Sequence, residues 1–507
     1  MALRVYNTLS GQVEEFRPLE GNQVRIYTCG PTVYDYAHIG NYRTFVFQDI
    51  LRRVLKYRGY EVRHVMNVTD VDDRTIRNAR AAGLELRDYT AKFIEAFDVD
   101  RQLLCLETPE VIARATDHID DMVALVQTLI DKGYAYRADG SVYYRVEKFK
   151  EYGKLSKIDF SGIRPGARVD SDNYDKADAR DFVLWKAAKE GEPFWNTPLG
   201  PGRPGWHIEC SVMSMKYLGP TFDIHSGGSD LVFPHHENEI AQSEAATGKP
   251  FAHTWLHSEH LIVNGEKMSK SLGNFFTLRD LIAKGFKPTA IRYLLASVPF
   301  RRPLNFTFDG IHQAQQSLDR LRNFRFRLTM EKFPPGETTE LQKAAVKARQ
   351  TFEEALDDNL NTAEALGAVF SLVREANTAM DRGEFHDGDR PVFLDLLERW
   401  DRIFAVLDDN DYARLRQFGF VQELEAAMSH SSARPQADGP AAGTGDGHGA
   451  GLMAESLPEK EIQRRISERE AARRRGDFAR ADLIRKELLE AGVILEDTKS
   501  GVRWKRK

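Results

Sequence analysis

The chain has 507 residues, too many for one compact core, so several domains are expected. Hydrophobic residues make up 42 %, no apolar run is long enough to span a bilayer, and the opening Met1-Ala2-Leu3-Arg4-Val5-Tyr6 lacks a signal peptide's apolar stretch. Three cysteines exclude a disulfide framework and suit a reducing cytoplasm, and a net charge of −5 argues at first against a nucleic-acid partner.

In chain order, Val24-Arg25-Ile26-Tyr27-Thr28 reads as a short buried strand, stopped by Cys29-Gly30-Pro31. From about Gly40, Phe47, Leu51, Val54 and Leu55 recur at helical spacing, and Gly59 suits the position past the end. Glu61-Val62-Arg63-His64-Val65-Met66 is a second strand. Strand, helix, strand is a βαβ unit, which predicts an α/β fold with a doubly wound parallel sheet of Rossmann type. A stretch rich in turn residues (Gly162, Pro165, Gly166, Pro193, Pro198, Gly200) reads as an insertion into that sheet. The sheet resumes near Phe222-Asp223-Ile224-His225 and stops at Ser226-Gly227-Gly228, before a helix pattern from Phe233 to about Ala245.

Beyond about 310 the chain turns helical. Leu366, Val369, Phe370 and Val373 share one face, and Asn361 with Glu364 resembles a capping box. Residues 429–451 contain no Val, Ile, Leu or aromatic, the composition of a disordered linker. As a flexible coil, 429–455 should span about 30 Å r.m.s.. Residues 457–507 carry 15 Lys and Arg against 10 Asp and Glu, a net +5, leaving −10 for the rest of a chain whose total is −5. A basic end on an acidic body suggests a polyanion partner, although on charge alone a solvated, mixed-charge face is the simpler reading. Val493-Ile494-Leu495-Glu496-Asp497 and Gly501-Val502-Arg503-Trp504 close the chain as a small hairpin.

His38 falls between the first strand and the first helix, where a doubly wound sheet binds nucleotides and a helix N-terminus meets phosphate. Gly40 leaves room for a nucleotide to approach. Lys267 and Lys270 flank Met268 on a glycine-bordered loop. Lysine there supplies positive charge to oxygens that gain charge during phosphoryl chemistry, with Lys270 as the main charge and Lys267 as support. Cys29 and Cys210, far apart and without a CxxC, read on spacing alone as buried structural thiols. His235 and Glu239 stand four apart on a helix face, from which His236 is expected to point away. Cys105 reads as a packed helix residue.

Ala37-His38-Ile39-Gly40-Asn41 and Lys267-Met268-Ser269-Lys270-Ser271, in this order, resemble the two ATP-handling signatures of class I aminoacyl-tRNA synthetases. With Cys29-Gly30-Pro31-Thr32-Val33-Tyr34-Asp35, Asn67-Val68-Thr69-Asp70-Val71-Asp72-Asp73, Gly205-Trp206-His207-Ile208-Glu209-Cys210 and Phe233-Pro234-His235-His236-Glu237-Asn238-Glu239, the chain resembles the cysteinyl-tRNA synthetase family over nearly its whole length. The resemblance implies that His38 stabilises phosphate charge. Asn41 stands where the pattern usually has His, so it can donate a hydrogen bond but carries no charge. Gly228 and Asp230 match the stretch that holds adenosine. Cys29, Cys210, His235 and Glu239 match the ligands of one zinc ion per chain, with the substrate sulfur as a further ligand. Thr69, Trp206 and His225 resemble the lining of the cysteine pocket, with Thr32 holding the amino-acid backbone. Trp504 either stacks on an unpaired base or anchors the hairpin.

The implied activity is ligation of L-cysteine to its tRNA, with ATP and Mg2+, through an adenylate. Zinc would select thiolate over the alcohol of serine, a separation that apolar pockets make only ~10²-fold. The protein would act as a monomer. The alternatives are a ligase joining cysteine to an amino sugar, which lacks the basic end, and a tRNA-binding paralogue without chemistry. The expected division is 1–115 and 205–255 as the two catalytic halves, 116–204 as a connective insertion, 256–310 as the lysine loop and stem-contact region, 311–428 as a helical bundle, 429–455 as linker and 456–507 as an anticodon-binding domain.

Overall fold

Five short apolar segments pair edge to edge into one parallel sheet. They are β1 (Gln23–Thr28), β2 (Glu61–Val68), β3 (Val111–Arg114), β4 (Phe222–Gly228) and β5 (Ala252–Ser258), in the spatial order β5-β4-β1-β2-β3. The fold is a computed structural model that describes residues 2–158, 181–420, 459–474, 484–485, 487–488, 493–498 and 501–506. The expected linker at 429–455 and the turn residues Gly162, Pro165 and Gly166 lie outside these. The chain divides into two compact units, Met1–Ala433 and Arg434–Lys507.

Chain direction across the sheet reverses at β1. The chain runs from β1 to β2 and β3 on one side, then returns to β4 and β5 on the other. β4 therefore lies parallel to β1 with Ile224 opposite Ile26, His225 opposite Tyr27 and Ser226 opposite Thr28. Alternate residues enter opposite cores, as the period of two requires. Val24, Ile26, Met66 and Leu256 pack with the first helix, whereas Tyr27, Val65 and Trp255 pack on the other face. Both faces are covered, which explains why these strands read as continuous apolar runs.

The βαβ expectation holds. Helix α1 spans Ile39–Tyr57, one residue from the start read in the sequence. Its N-cap is His38, whose Nδ1 accepts from the Asn41 N–H at 3.2 Å while Asn41 Oδ1 accepts from the His38 N–H at 3.1 Å. The first signature is thus also a reciprocal helix cap. The insertion folds as an antiparallel sheet of Ala135–Ala138, Ser141–Tyr144, Phe182–Ala187 and Gly202–Pro204. The chain then re-enters the sheet through α2 (Trp206–Leu218) and, after β4, α3 (Glu237–Thr247). The helical region includes Phe308–Met330, Thr339–Asp357, Thr362–Arg382 and Arg390–Phe404. Asn361 caps the third of these by accepting from the Glu364 N–H at 3.3 Å.

Cys105 departs from expectation. It lies beyond the end of the helix Leu86–Leu103, with φ 54°, and its thiol faces the Arg414 guanidinium. In the C-terminal unit, Val493–Thr498 pairs antiparallel with Gly501–Arg506, as expected. Half-buried Trp504 packs against Ile462, Ile466, Val493 and Leu495, which favours the anchor reading over base stacking.

A buried ion pair fastens α1 to the helical region. Asp49 accepts from Arg292 Nη2 at 2.5 Å, Arg53 Nε at 2.7 Å and the Glu107 N–H at 2.7 Å. Arg292 also donates to the carbonyls of Phe404 at 2.5 Å and Leu104 at 2.8 Å. Burial alone would raise the Asp49 carboxyl, but Arg292 and Arg53 hold it below its ordinary range. Removing one partner strands the other charge in the interior, so Asp49→Ala should cost about 3–5 kcal/mol. A shift below ~1 kcal/mol in urea unfolding of the variant would show that Arg292 finds water instead.

Candidate functional site

The reversal at β1 brings four separated residues to one point. Cys29 follows the end of β1, Cys210 lies in the first turns of α2, and His235 and Glu239 bracket the entry to α3. One donor atom from each lies within 4.8 Å of all the others, and all four residues are buried. His235 Nε2 is 3.0 Å and Cys29 Sγ 3.9 Å from Glu239 Oε1. Two thiols, an imidazole and a carboxylate form a donor set suited to a four-coordinate transition metal.

The site holds its protons accordingly. Burial raises the Cys210 thiol, but the hydrogen bond from Cys29 and the charge of His235 outweigh it and bring it to about 6. Burial and Cys210 together push Cys29 well up. The pair therefore keeps its proton on Cys29. Burial would lower His235, yet Glu239 and Cys210 raise it to about 10. Three of the four buried groups already favour their charged forms, thiolate at Cys210, imidazolium at His235 and carboxylate at Glu239, while Cys29 and His235 hold the protons that a cation would displace.

Surrounding groups aim these donors. His235 Nδ1 meets His207 Nδ1 at 2.9 Å, which leaves Nε2 toward the cluster. Glu239 Oε2 is 2.8 Å from His225 Nε2. Such partners fix ring and carboxylate orientation. Trp206, 37 % exposed, stacks on His235 with ring centroids 4.1 Å apart and covers the cluster from solvent. His225 is fully buried beneath Glu239. Thr69 Oγ1 donates to Glu209 Oε2 at 2.9 Å, and Thr32 bridges Thr69 through the backbone.

His236 does not point away. Residues Val232–His236 form a wide π-helical turn, with extended backbone at Phe233, so the spacing of a straight α-helix does not apply. His236 Nε2 lies 3.3 Å from Cys29 Sγ, and its Nδ1 lies 2.8 Å from His257 Nε2. A second donor group, Cys29, His225, His236 and Glu239, consequently overlaps the first. No sequence pattern marks it, because His225 and His236 come from different elements.

The lysine loop lies over the helix cap at the same edge of the sheet. The Ile39 N–H donates to the Phe276 carbonyl at 2.9 Å, and His38 forms a β-bridge with Thr277. The Phe275 ring lies 5.1 Å from the His38 ring and 5.0 Å from Lys270 Nζ. Lys270 Nζ pairs with Asp35 Oδ2 at 2.6 Å. Lys267 is exposed. A Cβ on Gly40 would meet the His38 ring at 2.9 Å and Met268 Cε at 3.2 Å, so the glycine admits the capping ring and the loop. Asp230 is exposed beside Gly228, and its charge reaches His38. Burial nevertheless lowers His38 to about 4, so it is a neutral hydrogen-bonding group near pH 7.

This edge, with its capped helix and lysine loop, defines a class I tRNA synthetase catalytic domain. Residues 15–316 match the family described as tRNA synthetases class I (C) catalytic domain, and residues 351–407 match the DALR domain. The chain is 54 % identical over 508 residues to the cysteine–tRNA ligase of Koribacter versatilis, covering 100 % of both. It is 55 % identical over 507 residues to that of Solibacter usitatus, again covering 100 % of both. The chain belongs to the cysteine–tRNA ligase family. The fold is also that of Mycobacterium tuberculosis methionyl-tRNA synthetase in complex with methionyl-adenylate, with TM-score 0.57 at 17 % identity, over 80 % of this chain and 96 % of that one.

The cluster geometry makes a direct prediction. Cys210→Ala should lose stoichiometric metal, measured by elemental analysis, whereas His236→Gln should retain it. Full retention by Cys210→Ala would remove that residue from the ligand set.

Proposed function

We propose that this chain ligates L-cysteine to its tRNA in two steps driven by ATP, with Mg2+ accompanying the nucleotide. The cysteine carboxylate attacks the α-phosphorus and releases pyrophosphate. A terminal ribose hydroxyl of the tRNA then attacks the adenylate carbonyl and releases AMP. The observation that carries this reading is the convergence of two thiols, His235 and Glu239 at the sheet edge that also holds His38 and Lys270. Relatives matched end to end, including the helical DALR region, favour a tRNA acceptor over an amino sugar.

Cys29, Cys210, His235 and Glu239 are the residues we propose to hold zinc. Zinc there favours a thiolate ligand strongly over an alcohol, which is the chemistry needed to separate cysteine from serine. Trp206 forms the pocket wall and shields it from water. Thr32 and Thr69 border it. His225 lines the pocket from beneath and holds Glu239 through its Nε2.

His38 spends Nδ1 on the helix cap, so Nε2–H is free to donate to a phosphate oxygen. Asn41 completes that cap and needs no charge. Lys270 leaves Asp35 for the phosphates. An exposed pair of this kind is worth at most ~1 kcal/mol, so a triphosphate displaces it readily. Lys267 adds charge from the same loop, and Gly228 and Asp230 border the adenosine. No dedicated base is required, because positioning and charge stabilisation carry both steps. The domain boundaries given above, action as a monomer and a cytoplasmic location complete the proposal. Three cysteines that are all free fit a reducing compartment.

ATP–pyrophosphate exchange tests selectivity. Serine should be activated at least ~10⁴-fold less efficiently than cysteine, and comparable rates would defeat the zinc argument. His38→Ala should slow adenylate formation by roughly 10²-fold. The wild-type rate should show no ionisation of His38 between pH 6 and 8, since its ring stays neutral down to about 4. A step near 6.5 that vanishes in His38→Asn would contradict this assignment.

A further inference from the structure

The two thiols of the cluster come from different elements, and something must hold them at a fixed separation. A chain of hydrogen bonds, its two side-chain links fully buried, runs between the residues next to them. The Gly30 N–H, one residue after Cys29, donates to Asn67 Oδ1 at 2.8 Å. Asn67 Nδ2 donates to Thr69 Oγ1 at 3.2 Å. Thr69 Oγ1 donates onward to Glu209 Oε2 at 2.9 Å, one residue before Cys210. Asn67, Thr69 and Glu209 are 2 %, 1 % and 0 % exposed, so water does not compete for these bonds.

The backbone enforces the same path. The Thr69 N–H donates to the Pro31 carbonyl at 3.0 Å, and the Val33 N–H donates to the Thr69 carbonyl at 3.1 Å. A Cβ on Gly30 would collide with the Asn67 carbonyl, so only glycine lets the two segments come this close. Glu209 cannot turn to solvent. Its Oε1 is buried without a hydrogen-bond partner, and the Thr69 hydroxyl is the side-chain donor that meets its carboxyl.

We infer that Asn67, Thr69 and Glu209 form a positioning relay that sets the distance between Cys29 and Cys210, and thereby the affinity of the site for its metal. This rests on the proposed metal function of the cluster. The Thr69 hydroxyl is then a part of the metal site's frame, committed to Glu209 rather than to the substrate. The relay works through hydrogen-bond geometry. A variant that keeps an acceptor toward Thr69 keeps the site, and one that removes it loosens the site without touching a ligand.

The test is zinc affinity of the full-length chain, measured by competition with a chromophoric chelator. Thr69→Val and Glu209→Ala should each weaken zinc binding by about 10–100-fold. Thr69→Ser and Glu209→Gln, which keep the donor and the acceptor, should bind within about 3-fold of wild type. The double variant Thr69→Val/Glu209→Ala should be no weaker than the worse single one, because both cut one chain of bonds. Should Glu209→Ala fail to fold, the near-isosteric Thr69→Val against Thr69→Ser carries the comparison. Wild-type affinity in Thr69→Val, equal losses in the conservative variants, or fully additive losses would each overturn the relay. A wild-type chain that takes up no zinc would instead overturn the metal reading itself.

Discussion

The parallel pairing of β1 with β4 is the constraint on which the site depends. It exists because the chain reverses its direction of travel across the sheet there, after the long connection from Arg114 to Phe222. Adjacent strands at such a point leave a crevice at their carboxyl ends that neither crossover fills. Cys29 and the cap of α1 emerge from one side of it, Gly228 and Asp230 from the other. Slipping the register of Ile26 against Ile224 by one residue would turn Tyr27 into the wrong core and carry Cys29 away from Glu239.

The two halves of the site solve opposite electrostatic problems. The Cys29, Cys210, His235 and Glu239 cluster is a set of polar and charged groups withdrawn from water, tolerable only because each group pairs with another or with a buried histidine. The nucleotide edge keeps its charges at the surface, where Lys270 and Asp35 can part at small cost. The buried groups are held in one arrangement, whereas the exposed ones are free to rearrange. Phe275, touching both His38 and Lys270, is where the fixed cap and the loop meet.

The first signature has a structural reason as well as a chemical one. His38 and Asn41 satisfy each other's N–H groups at the start of α1, and α1 is buried along almost its whole length. Its Asp49 reaches Arg292 and, through it, the carbonyl of Phe404. A single helix therefore links the phosphate end of the site to the helical region that follows the catalytic domain.

Local order was legible in the sequence. Strand, helix and strand at 23–68, the cap at Asn361 and the closing hairpin follow from apolar period, turn residues and capping chemistry, which act over a few residues. The reaction class was legible too, because two short signatures in fixed order are specific. The donor cluster was not legible from spacing, since Cys29, Cys210 and His235 meet only when distant strands pair. His236 turns toward Cys29 because the backbone at Phe233 is extended rather than helical, and Cys105 lies past the end of its helix at Leu103. The relay through Asn67, Thr69 and Glu209 carries no sequence signal at all. What the sequence determined by itself is the set of elements and the kind of chemistry, because propensity and motif are local. What the tertiary structure decided is which donors share a point and which hold them there, because that depends on one crossover and on the register of two strands.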